Sequence, residues 1–186
     1  MTSERIGVVG TGIIGLEVAR RLGQLRGDAM ITVIDKEATV GAHQTSHNSG
    51  VVHAGLYYAP DSLKAILCKR GSILLREYCA DRGIAFDECG KLVFAVDDSE
   101  IAALDRIQDR AERNQVSGLR RIGGEGIREL EPHAVGVAGL HSPRMAITDF
   151  PAIARAYADD VLAEGGSLLL GRLVESIQSR ITSSMA

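Results

Sequence analysis

Cysteine is scarce: Cys68, Cys79 and Cys89 are the only three in 186 residues, an odd number with no C-x-x-C spacing. That argues against a disulfide framework or a metal knuckle, and the expectation is reduced, buried thiols in a cytoplasmic protein. An excess of one charge is lacking too. Lys and Arg number 21 against 24 Asp and Glu, a net charge of −3, and the basic residues are scattered rather than blocked. No electrostatic footprint for nucleic acid results. Long apolar runs are missing, and stretches such as residues 167–170 are far too short to span a bilayer. Met1 is followed almost at once by the first predicted strand, so no signal or transit peptide is expected. Internal repeats and low-complexity segments are absent as well. What is present, with 45% apolar residues, is the profile of a soluble globular domain long enough to bury a core.

Hydrophobic periodicity divides the chain into elements. Residues 5–9 read as a short buried strand and residues 14–23 as an amphipathic helix with Ile14, Val18 and Leu22 on one face. Residues 29–34 form a second buried strand ending at Asp35. Residues 41–58 have neither period and are crowded with His, Ser, Thr, Asn and Gly, a polar loop. The helical period returns at Asp61, with Leu63, Ile66, Leu67, Leu74 and Tyr78 on one face, Asp61 or Ser62 capping the start and Gly83 ending the helix. Residues 90–96 read as a strand and residues 99–114 as an amphipathic helix with Ile101, Leu104, Ile107 and Ala111 inward. A short helix over 124–131 stops at Pro132, and residues 137–141 form a strand. Asp149 caps a helix with Pro151 in its first turn, Gly165-Gly166 ends it, and strands follow at 167–170 and 173–177. This order predicts an α/β domain interrupted by an insertion centred on residues 88–145.

The turn after the first strand is Gly10-Thr11-Gly12-Ile13-Ile14-Gly15, a G-x-G-x-x-G pattern. A lone match is weak in a chain with 21 glycines, but here a strand precedes it, a helix follows, and Asp35 stands 20 residues beyond Gly15. Each position has a mechanical reason. Gly10 makes the tight turn, Gly12 lets a pyrophosphate approach the backbone, and Gly15 lets the helix pack closely. The helix N-terminus offers free N–H groups and a partial positive charge. Asp35 suits ribose hydroxyls and repels a 2′-phosphate, which disfavours NADP. The motif does not separate FAD from NAD.

The polar loop makes that distinction. From His43 it reads HQTSHNSGVVHAGLYY and continues through Pro60-Asp61-Ser62-Leu63-Lys64-Ala65 to Cys68 and Gly71. This stretch, with Gly90-Lys91-Leu92 and Thr148-Asp149-Phe150, closely resembles the L-2-hydroxyglutarate dehydrogenase/oxidase family, FAD-dependent oxidoreductases of the D-amino-acid-oxidase type. The resemblance implies a Rossmann-like FAD-binding domain with an inserted α+β substrate domain. It implies oxidation of a 2-hydroxy dicarboxylic acid to the 2-oxo acid, hydride passing to the flavin and electrons to a quinone or another acceptor. It places Thr45, Ser46, His47, Asn48, Ser49 and Gly50 beside the cofactor, and His53 near the reacting face of the flavin ring. Ile13, Ile14, Lys36 and Val174 join Gly10, Gly12, Gly15 and Asp35 as expected cofactor contacts.

The chemistry asks for such residues. A base that takes the hydroxyl proton eases hydride loss, and imidazole titrates near working pH, so His53 is the first choice and His47 the second. A dicarboxylate asks for cations, and Lys64 and Arg70 lie close in sequence, but on a helix whose polar face is better read as simply solvated at both positions. Members of the family are considerably longer, with a C-terminal part that completes the FAD site, whereas the likeness here ends in a polar tail at 178–186. The expectation is an incomplete FAD-binding domain over 1–87 and 146–178, the first part of a substrate domain over 88–145, and an atypical tail over 179–186. A truncated chain of this kind is expected to bind FAD weakly and to turn over little, and to lie in the cytoplasm or at the periphery of the inner membrane. The alternatives are an amino-acid or glycerol-3-phosphate oxidoreductase of the same superfamily, or a non-catalytic nucleotide-binding remnant.

Overall fold

A computed structural model of the chain describes residues 4–179. In chain order the elements are β1 (Arg5–Val9), α1 (Ile13–Leu25), β2 (Met30–Ile34), β3 (Val51–Val52), α2 (Leu63–Arg82), β4 (Phe86–Asp87) and β5 (Lys91–Ala95). A 3-10 turn (Asp98–Glu100) then leads into α3 (Ile101–Arg113), β6 (Arg120–Gly123), α4 (Gly124–Leu130), β7 (Ala138–Ser142), β8 (Ala146–Thr148), α5 (Phe150–Ala163) and β9 (Ser167–Leu169). The chain divides into two compact units, Met1–Asn48 with Phe150–Ala186, and Ser49–Asp149.

The first unit is built on a parallel sheet in the order β1-β2-β9. β1 pairs with β2 in a register running from Arg5 opposite Met30 to Val9 opposite Ile34, and β2 pairs with β9 from Thr32 opposite Ser167. Parallel strands need a crossover between them, and α1 and α5 supply it, packing on one another. The core holds Leu16 and Ala19 of α1, Ile31 and Val33 of β2, and Ile153, Ala154, Tyr157 and Val161 of α5. Arg20 fastens the two helices, its guanidinium over the Tyr157 ring at 5.0 Å and 4.0 Å from the buried Asp160 carboxylate.

Two expectations for this unit are corrected. The inward face of α1 is not the Ile14–Val18 stripe: Ile14 is 78% and Val18 46% exposed, while Leu16 and Ala19 are buried. The sequence IIGLEVARRLGQL carries apolar residues on more than one stripe, and contact with α5 selects the one bearing Leu16, Ala19 and Arg20. Residues 173–177 form no strand either. Leu173 and Ile177 are 66% and 85% exposed, and among the described residues no strand lies beside them to complete a ladder. Most of the predicted tail, 180–186, lies outside the described residues.

The second unit holds two antiparallel sheets, β3-β8-β4 and β5-β7-β6. α3 lays Leu104 and Ala111 into the core as its period predicts, with Ile101 and Ile107 beside them. They meet Ala95 and Leu140 at one end and Leu56 and Met145 at the other. Ser62 caps α2 by accepting the N–H of Ala65 at 3.2 Å, and Gly83 ends it in the left-handed region at φ 62°. The apolar face shared by Leu63, Ile66, Leu67 and Leu74 of α2 is exposed, however, each of them more than half accessible, and the helix buries Ala65 and Cys79 instead. β3, β4, β6 and β8 are too short to show a period of two, so ladder pairing alone defines them.

Candidate nucleotide cleft and histidine site

In the first unit, a cleft of about 320 Å³ opens at the carboxyl ends of the parallel strands. Gly10 follows β1, Asp35 follows β2, and Arg172 lies just beyond β9; all three line it, with Gly12, Lys36, His43 and Val174. Open α/β sheets bind ligands outside this edge. The glycines differ in what they do. Gly10 has φ +109° and donates its N–H to Ile34 at 2.8 Å, so the turn needs a residue without a Cβ. A Cβ on Gly15 would stand 2.2 Å from the Gly10 carbonyl oxygen, so the helix start rests directly on the turn. A Cβ on Gly12 would meet only the Thr45 hydroxyl at 3.6 Å, leaving the backbone open on the cleft side. That open cradle fits a dinucleotide's pyrophosphate.

Asp35 is held rather than free. One carboxylate oxygen accepts the backbone N–H and the hydroxyl of buried Thr11, both at 2.6 Å, and the other accepts the Glu37 N–H at 2.9 Å. Burial pushes its pKa up. The hydrogen bonds from Glu37 and Thr11 and the nearby His43 outweigh this and hold it below the usual aspartate value. Lys36 pairs with Glu37 at 3.5 Å, and His43 meets the same carboxylate at 2.9 Å.

The loop after β2 closes on the helix start. Thr45 is buried and its hydroxyl accepts the Ile13 N–H at 3.0 Å, so one donor of the α1 N-terminus is already used. Ser46 donates to the Gly41 carbonyl at 2.7 Å, the His47 ring bonds the His43 carbonyl at 2.8 Å, and Asn48 donates to the Thr45 carbonyl at 2.7 Å. These side chains therefore brace the loop's own backbone. Ile14 is exposed at the helix start.

Ser49 and Gly50 belong to the second unit. Gly50 has φ +70° and its carbonyl accepts the Thr148 N–H at 2.9 Å. His53 follows β3 with its ring exposed, edge-on to Tyr58 at a centroid distance of 6.4 Å. Partial desolvation and the charges of Lys91 and Lys64 lower its pKa below the ordinary imidazole value, so the ring is neutral at pH 7 and able to accept a proton. Cys68 donates its thiol to the His53 carbonyl at 3.1 Å, and burial pushes that thiol's pKa up, keeping it protonated. Asn114 bonds the carbonyls of Gly55 and Tyr58, both at 2.9 Å, and pins the segment that carries Tyr58.

Thr11, Arg172 and Asn114 were not among the residues singled out from sequence. Arg172 has a legible signal, since it follows a strand end as Asp35 does. Thr11 and Asn114 act on partners 24 and more than 50 residues away, and nothing local marks them.

An open glycine cradle at the ends of parallel strands, followed by an acidic residue, defines a dinucleotide-binding α/β protein. The sequence matches the FAD-dependent oxidoreductase (DAO) family over residues 5–184, and the chain belongs to that family. It is 42% identical over 92% of its length to the mitochondrial L-2-hydroxyglutarate dehydrogenases of Pongo abelii and Homo sapiens, and 34% identical over 96% to L-2-hydroxyglutarate dehydrogenase of Indibacter alkaliphilus. The chain spans 41%, 37% and 45% of the lengths of those relatives. Among solved structures, FAD-bound L-alpha-glycerophosphate oxidase of Mycoplasma pneumoniae shares the fold with a TM-score of 0.87 at 23% identity, over 97% of this chain and 48% of that one. Glycine oxidase of Bacillus cereus does so with a TM-score of 0.81 at 18% identity, over 97% and 49%.

Proposed function

We propose that this chain carries the FAD-binding and histidine-bearing part of an oxidoreductase that converts L-2-hydroxyglutarate to the 2-oxo acid. The observation that carries the reading is the 42% identity, across 92% of the chain, to enzymes named for that substrate. The geometry supports it. Gly10, Gly12 and Gly15, with the N–H group of Ile14, would receive the pyrophosphate beside Ile13, whose own N–H is held by Thr45, and the Asp35 oxygen that accepts the Glu37 N–H retains room for a ribose hydroxyl. Lys36 and Val174 would flank the adenosine half, and Thr45 to Gly50 would run along the cofactor. In functional terms residues 1–87 and 146–178 belong to the FAD-binding domain and 88–145 begin the substrate domain.

FAD when bound supplies the hydride acceptor. Neutral His53 would take the proton of the substrate hydroxyl, so that the carbinol carbon gives up its hydride as the carbonyl forms. A quinone or another acceptor takes the electrons. The three free cysteines suit a reducing cytoplasmic setting, at the periphery of the inner membrane if the acceptor is a quinone. Among the described residues no helix is long and apolar enough to cross a membrane.

Anaerobic addition of L-2-hydroxyglutarate to the flavin-loaded protein tests this. In a chain that spans about two fifths of those relatives the yellow flavin band should bleach slowly with this substrate and not with its D enantiomer, and His53→Gln should slow bleaching by about a hundredfold or more. Bleaching by glycerol 3-phosphate or an amino acid in its place, or no bleaching at all, would overturn the reading.

A further inference from the structure

Some basic side chains of the second unit have a carboxylate partner among the described residues and others, Lys69 on Gln115 and Arg120 on His141 among them, do not. Arg76 and Arg144 meet Glu88, Arg121 meets Asp105, and Arg113 lies 3.9 Å from Asp61, so each has a carboxylate. Lys64 and Lys91 have none among the described residues. Each lies over a tyrosine instead, Lys64 with its ammonium 4.8 Å from the centroid of Tyr58 and Lys91 5.1 Å from that of Tyr57. An aromatic face holds an ammonium in position without neutralising it. The two lysines come from different elements, the first turn of α2 and the first residue of β5, yet both act electrostatically on His53. Tyr58 lies under Lys64 and edge-on to His53, and a bound dianion would neutralise both cations that bear on that ring.

We propose that Lys64 and Lys91 are the carboxylate-binding residues of the His53 site, one for each end of a short dicarboxylic acid, with Tyr58 and Tyr57 holding their ammonium groups in place. The inference rests on the reading of His53 as the substrate-side base and adds the groups that select a dicarboxylate over a monocarboxylate. Lys64 is exposed on α2, as a solvated helix residue would be, but it lies over the Tyr58 ring. The difference lies in Tyr58 and Lys91, which the fold brings to it from either side in sequence. Arg70, the other cation weighed with it, is exposed on α2 and serves as the control.

Substrate charge would also tune the base. The groups bearing on His53 are Lys64 and Lys91, with the Tyr58 ring at its edge and the Cys68 thiol on its carbonyl. Carboxylates that neutralise the lysines remove part of what depresses the imidazole, so occupancy raises its pKa and strengthens it as a proton acceptor.

Glutarate, which has both carboxylates and no hydroxyl, is the probe, titrated into the full chain without flavin and followed by calorimetry and by NMR of the His53 ring. Glutarate should bind more tightly than butyrate. Lys64→Gln and Lys91→Gln should each weaken it about fivefold, the pair about twenty-five-fold, and Arg70→Gln should change nothing. The His53 pKa should rise when glutarate binds, and should already be raised in the glutarate-free double variant. Absent glutarate binding, equal binding of butyrate, or affinities unmoved by the lysine changes would overturn the proposal. A parallel FAD titration separates the two readings: glutarate binding without FAD binding leaves this site standing and fails the flavoenzyme reading. FAD binding without glutarate binding does the reverse.

Discussion

Asp35 shows how a single side chain can serve the fold and a ligand together. Three protein hydrogen bonds hold its carboxylate, so a ribose hydroxyl would share a group that already ties β1's turn to the end of β2. Its pKa in the folded chain lies below the ordinary value, so its contribution to stability is whole above that ordinary value. The contribution is lost as pH falls through the depressed one. Urea unfolding across the acid range should show this loss in the parent and much less of it in Asp35→Asn. The glycines separate structure from binding in the same way. Gly15→Ala drives a methyl onto the Gly10 carbonyl and should cost about 3 kcal/mol of stability. Gly12→Ala meets only a hydroxyl at 3.6 Å and should fold normally while weakening FAD. Unfolding curves and FAD titrations on the two variants check both statements.

At the scale of elements, α2 is the most instructive. Its ends obey local rules: Ser62 caps the first turn and Gly83 takes the left-handed conformation that stops the helix. Ser62→Ala should therefore cost about 1 kcal/mol, read by chemical denaturation. Its sides do not follow from the same rules. The stripe of Leu63, Ile66, Leu67 and Leu74 has helical spacing and stays exposed. In α3, the same kind of stripe is covered, because β5 and β7 lie against Leu104. Spacing tells which residues share a face. Whether the face is buried depends on what the rest of the chain lays on it.

Over the whole molecule, the candidate site was legible where its chemistry is local. G-x-G-x-x-G after a strand, with an acid at the end of the next strand, carries its geometry in sequence, because each glycine answers a constraint set by its immediate neighbours. Gly10, Gly12, Asp35, Lys36 and Val174, singled out from the sequence, all line one cleft. The polar loop was legible as a pattern, while its hydrogen bonding onto its own carbonyls was not. The expected strand over 173–177 and the inward face of α1 were misread for one reason: each depends on a partner far away in sequence.

The sequence by itself determined the βαβ unit, its glycine turn and acid, the helix ends, and membership of the FAD-dependent oxidoreductase family, since these rest on backbone conformation and short-range spacing. Only the tertiary structure decided which stripe of α1 is buried, that Thr11 holds Asp35, and that Lys91 bears on His53. Those outcomes depend on contacts between residues tens of positions apart, whose strength is set by distance and surroundings rather than by neighbouring letters.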